Sequence, residues 1–253
     1  MTPYPPRFGR ALAFVVLSGA VVATVLGVGL PPSGAATHRI VPRGSIPTAK
    51  QLITETKKTM TNESSVRVTI TSSDKSTKQN ETVTEDAGKT NGLESIVFGT
   101  ATTSVRFTSK AAYVSGNAAG LEKIVGLSTK GAKAVGSKWI VVTKGSTQFT
   151  NIVAGGTIGP LTTDLFPSSS TKSVKVTSDK LNGHNVFAMK WTATENSTKV
   201  DLALDIATSG TKLPLELTAT QGSLTSVTQF GRWNEHINVS VPTSTIAYSK
   251  VPS

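Results

Sequence analysis

A chain of 253 residues without a single cysteine excludes disulfides, thiolate metal sites and a cysteine nucleophile. Its formal charge of +11 comes mostly from lysines scattered singly, such as Lys75, Lys110, Lys130, Lys175 and Lys199. That makes a diffuse basic surface rather than a nucleic-acid platform, and the wealth of Val, Ile, Leu, Thr and Ser suits exposed β-structure better than a helical bundle.

In chain order, Arg7 and Arg10 form a basic segment ahead of an uncharged apolar run from Ala11 to Leu30. Pro31-Pro32-Ser33-Gly34-Ala35-Ala36 follows, with helix breakers and small residues suited to a signal peptidase. Residues 1–36 are therefore expected to be either a signal peptide cut after Ala35 or Ala36, or an uncleaved anchor long enough to span a bilayer. Both readings export the remainder across the cytoplasmic membrane. Residues 37–47 read as a flexible spacer.

Thr48 is placed to cap a helix running to about Thr61, with Leu52, Ile53, Thr56 and Met60 as its inner stripe. Val66, Val68 and Ile70 alternate with Arg67, Thr69 and Thr71 as the first clear strand. Ser72 to Asp86 reads as a weak edge strand or hairpin arm, and Leu93–Phe98 and Thr103–Thr108 as further strands. At Asn117 the period changes to helical, with Leu121, Ile124 and Val125 on one face and a second short helix over Lys130–Val135. This stretch is dense in Ala and Gly, so its helices are held by what they pack on. Lys138–Val142 returns to strand, and Thr147–Phe166 is a second helical insert broken at Gly155-Gly156 and Gly159-Pro160.

Ser173 to Val241 reads as an antiparallel meander. Phe187, Met189, Trp191 and Ala193 alternate with polar residues, then Val200, Leu202, Leu204 and Ile206, then Leu213, Leu215, Leu217 and Ala219. Glu195-Asn196-Ser197 and Thr208-Ser209-Gly210 supply the turns, while Ile237, Val239 and Val241 finish the sheet before a frayed tail. The predicted order is a helix, about four strands, helices, a strand, helices and about five strands: an α+β fold with helices collected on one face of an antiparallel sheet.

No catalytic constellation stands out. His38, His184 and His236 lie apart, no Gly-x-Ser-x-Gly elbow is present, and Asp201 and Asp205 point to the solvent face of their strand. No cofactor is expected.

Five phrases in sequence order resemble the LppX/LprG group of actinobacterial envelope lipid carriers, within the LolA-like fold. They are Ala112-Tyr113-Val114-Ser115-Gly116-Asn117, Ser137-Lys138-Trp139-Ile140-Val141-Val142, Leu181-Asn182-Gly183-His184, Lys212-Leu213-Pro214-Leu215 and Phe230-Gly231-Arg232-Trp233-Asn234. The resemblance implies a large curved antiparallel sheet, a half-barrel, whose concave apolar face is covered by short helices and holds acyl chains. It implies a LolA-like lipid-binding domain over 48–245 with a tail at 246–253, acting as a monomer. It implies a lipid or glycolipid ligand as partner; the basic surface adds an anionic membrane surface, and export without a nucleic-acid motif or aromatic platform leaves no nucleic acid expected. The chain departs from the group in lacking the lipid-accepting cysteine. The expected cavity lining is Val68, Phe107, Tyr113, Leu121, Ile124, Val125, Trp139, Phe149, Ile152, Phe166, Phe187, Met189, Trp191, Leu202, Leu204, Leu215 and Leu217. Bulky sheet residues opposed by Ala and Gly leave space unless the helices approach very closely. The competing expectation is a non-catalytic envelope module with a filled core, binding anionic polymers through exposed lysines.

Overall fold

The computed structural model describes residues 46–166, 174–195 and 198–253. The expected export segment, His38, nearly all of the spacer and the Asn196-Ser197 turn lie outside the described residues.

Twelve strands form one sheet: β1 (Ser65–Asp74), β2 (Gln79–Gly88), β3 (Gly92–Phe98), β4 (Ala101–Phe107), β5 (Ala111–Gly116), β6 (Trp139–Thr143), β7 (Lys175–Leu181), β8 (His184–Glu195), β9 (Thr198–Ala207), β10 (Pro214–Gln221), β11 (Leu224–Gly231) and β12 (Thr245–Ala247). Among the described residues five short α-helices accompany them: α1 (Ala49–Asn62), α2 (Ala118–Lys123), α3 (Thr129–Val135), α4 (Thr147–Gly155) and α5 (Ile158–Asp164). Side-chain caps start most of the helices. Thr48 and Gln51 form a capping box on α1, and Asn117, Ser128 and Ser146 each accept from a backbone N–H in the first turn of α2, α3 and α4.

The spatial order is β12-β6-β5-β4-β3-β2-β1-β11-β10-β9-β8-β7. Two meanders, β1–β6 and β7–β11, are thus joined edge to edge where β1 pairs with β11, from Arg67↔Gly231 to Asp74↔Leu224. Every pairing is antiparallel except β12 on β6. The sheet is open and curved, and the helices cover its concave side, so the architecture is the α+β fold expected. The β7–β8 link is a two-residue turn with Asn182 at φ 48° and Gly183 at φ 85°, the left-handed pair that a tight hairpin demands.

Three differences from the sequence reading have physical causes. The arm expected to be weak is a full central strand, β2, making five strands before the first helical insert instead of about four. Its inward positions are Glu81, Val83, Glu85 and Ala87, so two acids interrupt the apolar alternation that would have announced it. Ile237, Val239 and Val241 are not in a strand. Residues 232–244 instead form a strap across the outer face. Asn234 N–H donates to the Ser65 carbonyl (3.0 Å), Asn91 Nδ2 to the Ile237 carbonyl (3.2 Å), Arg106 Nη1 to Ser240 Oγ (2.8 Å), and Trp139 N–H to the Ser244 carbonyl (2.9 Å). Nor is the end of the chain frayed. It pairs with β6 as β12, makes a 3-10 turn at Tyr248–Lys250, and places the Pro252 carbonyl 3.3 Å from Ser128 Oγ at the start of α3. Ile246 and Val251 pack beneath it.

Removing residues 245–253 is therefore expected to lower the melting temperature by several degrees, read by circular dichroism. A tail without contacts would leave it unchanged.

Candidate functional site

The concave face carries two apolar clusters. One lies over β1, β2 and β8–β11 and is covered by α1 and α5. It holds Val68, Ile124, Phe166, Met189, Leu204 and Leu217, with Phe187, Trp191 and Leu202 half-buried at its margin. The other lies over β4–β6 under α2–α4 and holds Phe107, Leu121, Val125, Phe149 and Ile152. Helix α2 stands on the boundary, for Leu121 and Val125 serve one cluster and Ile124 the other. Fourteen of the seventeen expected lining residues are thus brought to the covered side.

Three are not. Tyr113 aligns with Arg106 and Val141, opposite in face to Ala112 and Val114, and so lies on the outer side. Trp139 shares that face, with the Arg106 guanidinium stacked 4.5 Å from its ring centre. Strand β5 is apolar at both phases, Ala111-Ala112-Tyr113-Val114, so alternation could not assign its faces. Leu215 falls at the register shift between Pro214 and Glu216, where it is half-buried.

The glycines of the cover bring helix and sheet together instead of leaving a void. A Cβ on Gly120, in α2, would collide with the Thr102 carbonyl, and one on Gly116, at the end of β5 where the chain enters α2, would lie 2.5 Å from the same oxygen. Phe107 is held between Gly92 and Gly156, either of which would strike its ring if it bore a side chain. The cover therefore rests directly on the sheet, and Val68, Met189, Leu204 and Ile140 are sealed from solvent.

Between the clusters the concave face turns polar. One row across the sheet reads Phe230, Val68, Glu85, Glu94, Val105, Val114 and Ile140, so two carboxylates stand directly opposite each other on β2 and β3 with apolar side chains on both flanks. Glu85 is 3% exposed and its Oε1 has no hydrogen-bond partner among the described residues. Gly156 lies above it, in the Gly155-Gly156 link that carries the chain from α4 over one cluster to α5 over the other. Thr103 Oγ1, on β4 diagonal to Glu94, is likewise buried and unpartnered. Burial first, and then the charges of Glu94 and Asp86, push the Glu85 carboxyl well above the usual carboxylate range. Glu94 keeps partial access to solvent, yet burial and then the Glu81 charge push it up to about 7. Asp86 itself points outward, where Arg67 holds it through contacts of 2.6 and 2.7 Å. Sequence reasoning missed this pair; the signal was Glu85 and Glu94 in phase with Val83 and Ile96.

The outer face has a shallow depression of about 580 Å³ bordered by Lys190, Thr192, Asp201 and Thr218, with Thr192 Oγ1 donating to Asp201 Oδ1 at 2.7 Å. His184 and His236 are both exposed. Among the described residues no three His, Asp or Glu gather as metal ligands.

No family model and no curated relative matches the sequence. Among solved structures the chain is similar to LprF from Mycobacterium bovis, at 13% identity and a TM-score of 0.49, over 78% of this chain and 99% of that one. It is also similar to the Mycobacterium tuberculosis lipoprotein LppX, at 13% identity and a TM-score of 0.44, over 76% of this chain and all of the other. A DUF1329 family protein from Desulfovibrio piger is more distant, at 7% identity and a TM-score of 0.29.

Two outcomes follow from the packing and the charges. Gly120→Ala is expected to cost about 1–3 kcal/mol in denaturant unfolding, because the obstructing atom is backbone and cannot move aside. For Glu94, the folded protein holds the proton more tightly than the unfolded chain, whose value is 4.5, so stability is greatest below that pH and is lost as pH rises to about 7. Thermal melts of Glu94→Gln against the native protein should coincide near pH 4. Near pH 8 the variant should melt a few degrees higher.

Proposed function

We propose that the protein is an exported, non-catalytic carrier or chaperone of the cell envelope. It takes the acyl chains of a lipid, glycolipid or lipidated molecule against the concave face of its sheet. The observation that carries this reading is the divided cover: two helical groups lie over two apolar clusters, meet along a line of unsatisfied polar groups, and are joined there by a pair of glycines. The conformation described is the closed one, and loading lifts one group from the sheet.

Helices α2, α3 and α4 span 6, 7 and 9 residues. Pieces this short have little helical stability of their own and stay in place through apolar contact with the sheet. An acyl chain that slides beneath them replaces contact with contact, so the exchange is near balance in buried apolar area, at roughly 25 cal/mol per Å² on either side. Half-buried Phe187, Trp191 and Leu202 give an incoming chain its first apolar surface at the margin. Lys50, Lys58, Lys130 and Lys133 on the outer sides of the helices favour approach to an anionic membrane surface, an attraction that salt weakens. The five sequence phrases point the same way. The tight burial of the concave face favours a second reading, a filled-core envelope module that binds nothing inside.

Native mass spectrometry of the purified protein, with lipid extraction of the same sample and a vesicle-uptake assay, separates the two. A carrier shows a discrete bound mass or takes up added phospholipid or glycolipid. Trp191→Arg, at a half-buried site on the margin of the cluster, should reduce uptake severalfold, with circular dichroism checking that the fold is kept. A ligand-free mass with no uptake of either lipid overturns the carrier reading.

A further inference from the structure

Resting on the carrier reading above, we propose that Glu85 and Glu94 form the polar anchor of the concave site. They accept hydrogen bonds from a hydroxyl- or ammonium-bearing end of the ligand and select against a phosphate.

The placement is specific. The two carboxyls are cross-strand partners on the covered side of the sheet, with Val68 and Phe230 beyond Glu85 and Val105 and Val114 beyond Glu94. A ligand lying across the strands would set apolar segments on both flanks and its polar end at the middle. Side chains directly opposite on antiparallel strands have Cβ atoms about 5 Å apart, so one hydroxyl or ammonium group can reach both.

The pair is also incomplete as it stands. A buried polar oxygen without a partner is costly and rare. Glu85 Oε1 is one such atom and Thr103 Oγ1 is another, and the two residues lie on either side of Glu94 on the same face. Among the described residues neither carboxyl is ion-paired. Arg67, opposite Asp86 across β1 and β2, sits on the other face and is spent on Asp86. The demand is therefore for donors. At pH 8 Glu94, above its raised value of about 7, is a carboxylate that offers acceptors only, and it meets a second anion with repulsion that low local polarity strengthens. A divalent cation needs six or more oxygens, whereas the flanks here are valine and phenylalanine. Partial solvent access at Glu94 gives the anchor a way in, and the close contact of Gly156 with Phe107 and Glu85 means that a headgroup enters only as the cover lifts.

The test uses the full-length secreted protein and two pyrene-labelled lipids with identical acyl chains, a diacylglycerol and the matching phosphatidic acid, delivered from neutral vesicles at pH 8. The diacylglycerol should bind at least about tenfold more tightly, a difference of one decade in Kd. Glu94→Gln and Glu85→Gln, each checked for folding by circular dichroism, should bring the ratio towards unity, chiefly by admitting phosphatidic acid. Failure of the native protein to take up either lipid sinks the carrier reading and this inference with it. Equal uptake of both lipids, or a preference that neither substitution moves, leaves the carrier reading standing and overturns the anchor.

Discussion

The pairing of β1 with β11 is the contact on which the rest depends. The eight matched positions from Arg67 to Asp74 join strands far apart in the chain, and only through them do two meanders become one sheet. The concave face exists because of that seam between halves. Without it each meander would have an apolar side too narrow to hold the helices above it, and Val68 would lose Phe230 as its neighbour. Closing so long a loop carries an entropic cost, offset by apolar burial under α1 and α5.

Joining the halves in this way also explains why the interior is double. The helices are spaced along the chain: α1 precedes both meanders, α2 and α3 sit within the first, and α4 and α5 lie between the two. The apolar clusters follow those groups, and the polar row of Glu85, Glu94 and Thr103 falls where the clusters give out. A single solid core has no use for unpaired carboxyls at its centre. On the carrier reading proposed above, a face that parts along its middle can place groups there that are expensive when closed and useful when occupied.

Much of this was legible before any coordinates, and the parts that were not share a cause. Strands β8 to β10 and the helix starts at Thr48 and Asn117 follow strict alternation or capping chemistry, which are local rules that the chain obeys. Strand β2 was obscured because Glu81 and Glu85 occupy core-facing positions, so the feature that hid the strand is the one that marks the candidate site. Tyr113 and Trp139 were put in the cavity because residues 111–114 are apolar on both faces, and only the register with Arg106 decides their side. The glycines were the subtlest case. Gly120 and Gly156 suggested a loose cover by their want of side chains, whereas their closeness to Thr102 and Phe107 is what lets the cover sit flat. Composition says that a side chain is missing; only geometry says what has taken its place.

The strap over residues 232–244 bears on the order of assembly. Its anchors lie in turn on β1, the β2–β3 turn, β4 and β6, so it has nowhere to dock until those strands are already side by side. Its docking therefore depends on the pairing of those strands. It is not confined to the outer face, for Trp233 packs against the cluster beneath α1 and Asn234 bonds Glu63 and Ser64 at the end of that helix. One segment thus ties strands β1 to β6 from outside and the end of α1 from within, so the two sides of the sheet are coupled through the strap and not separate.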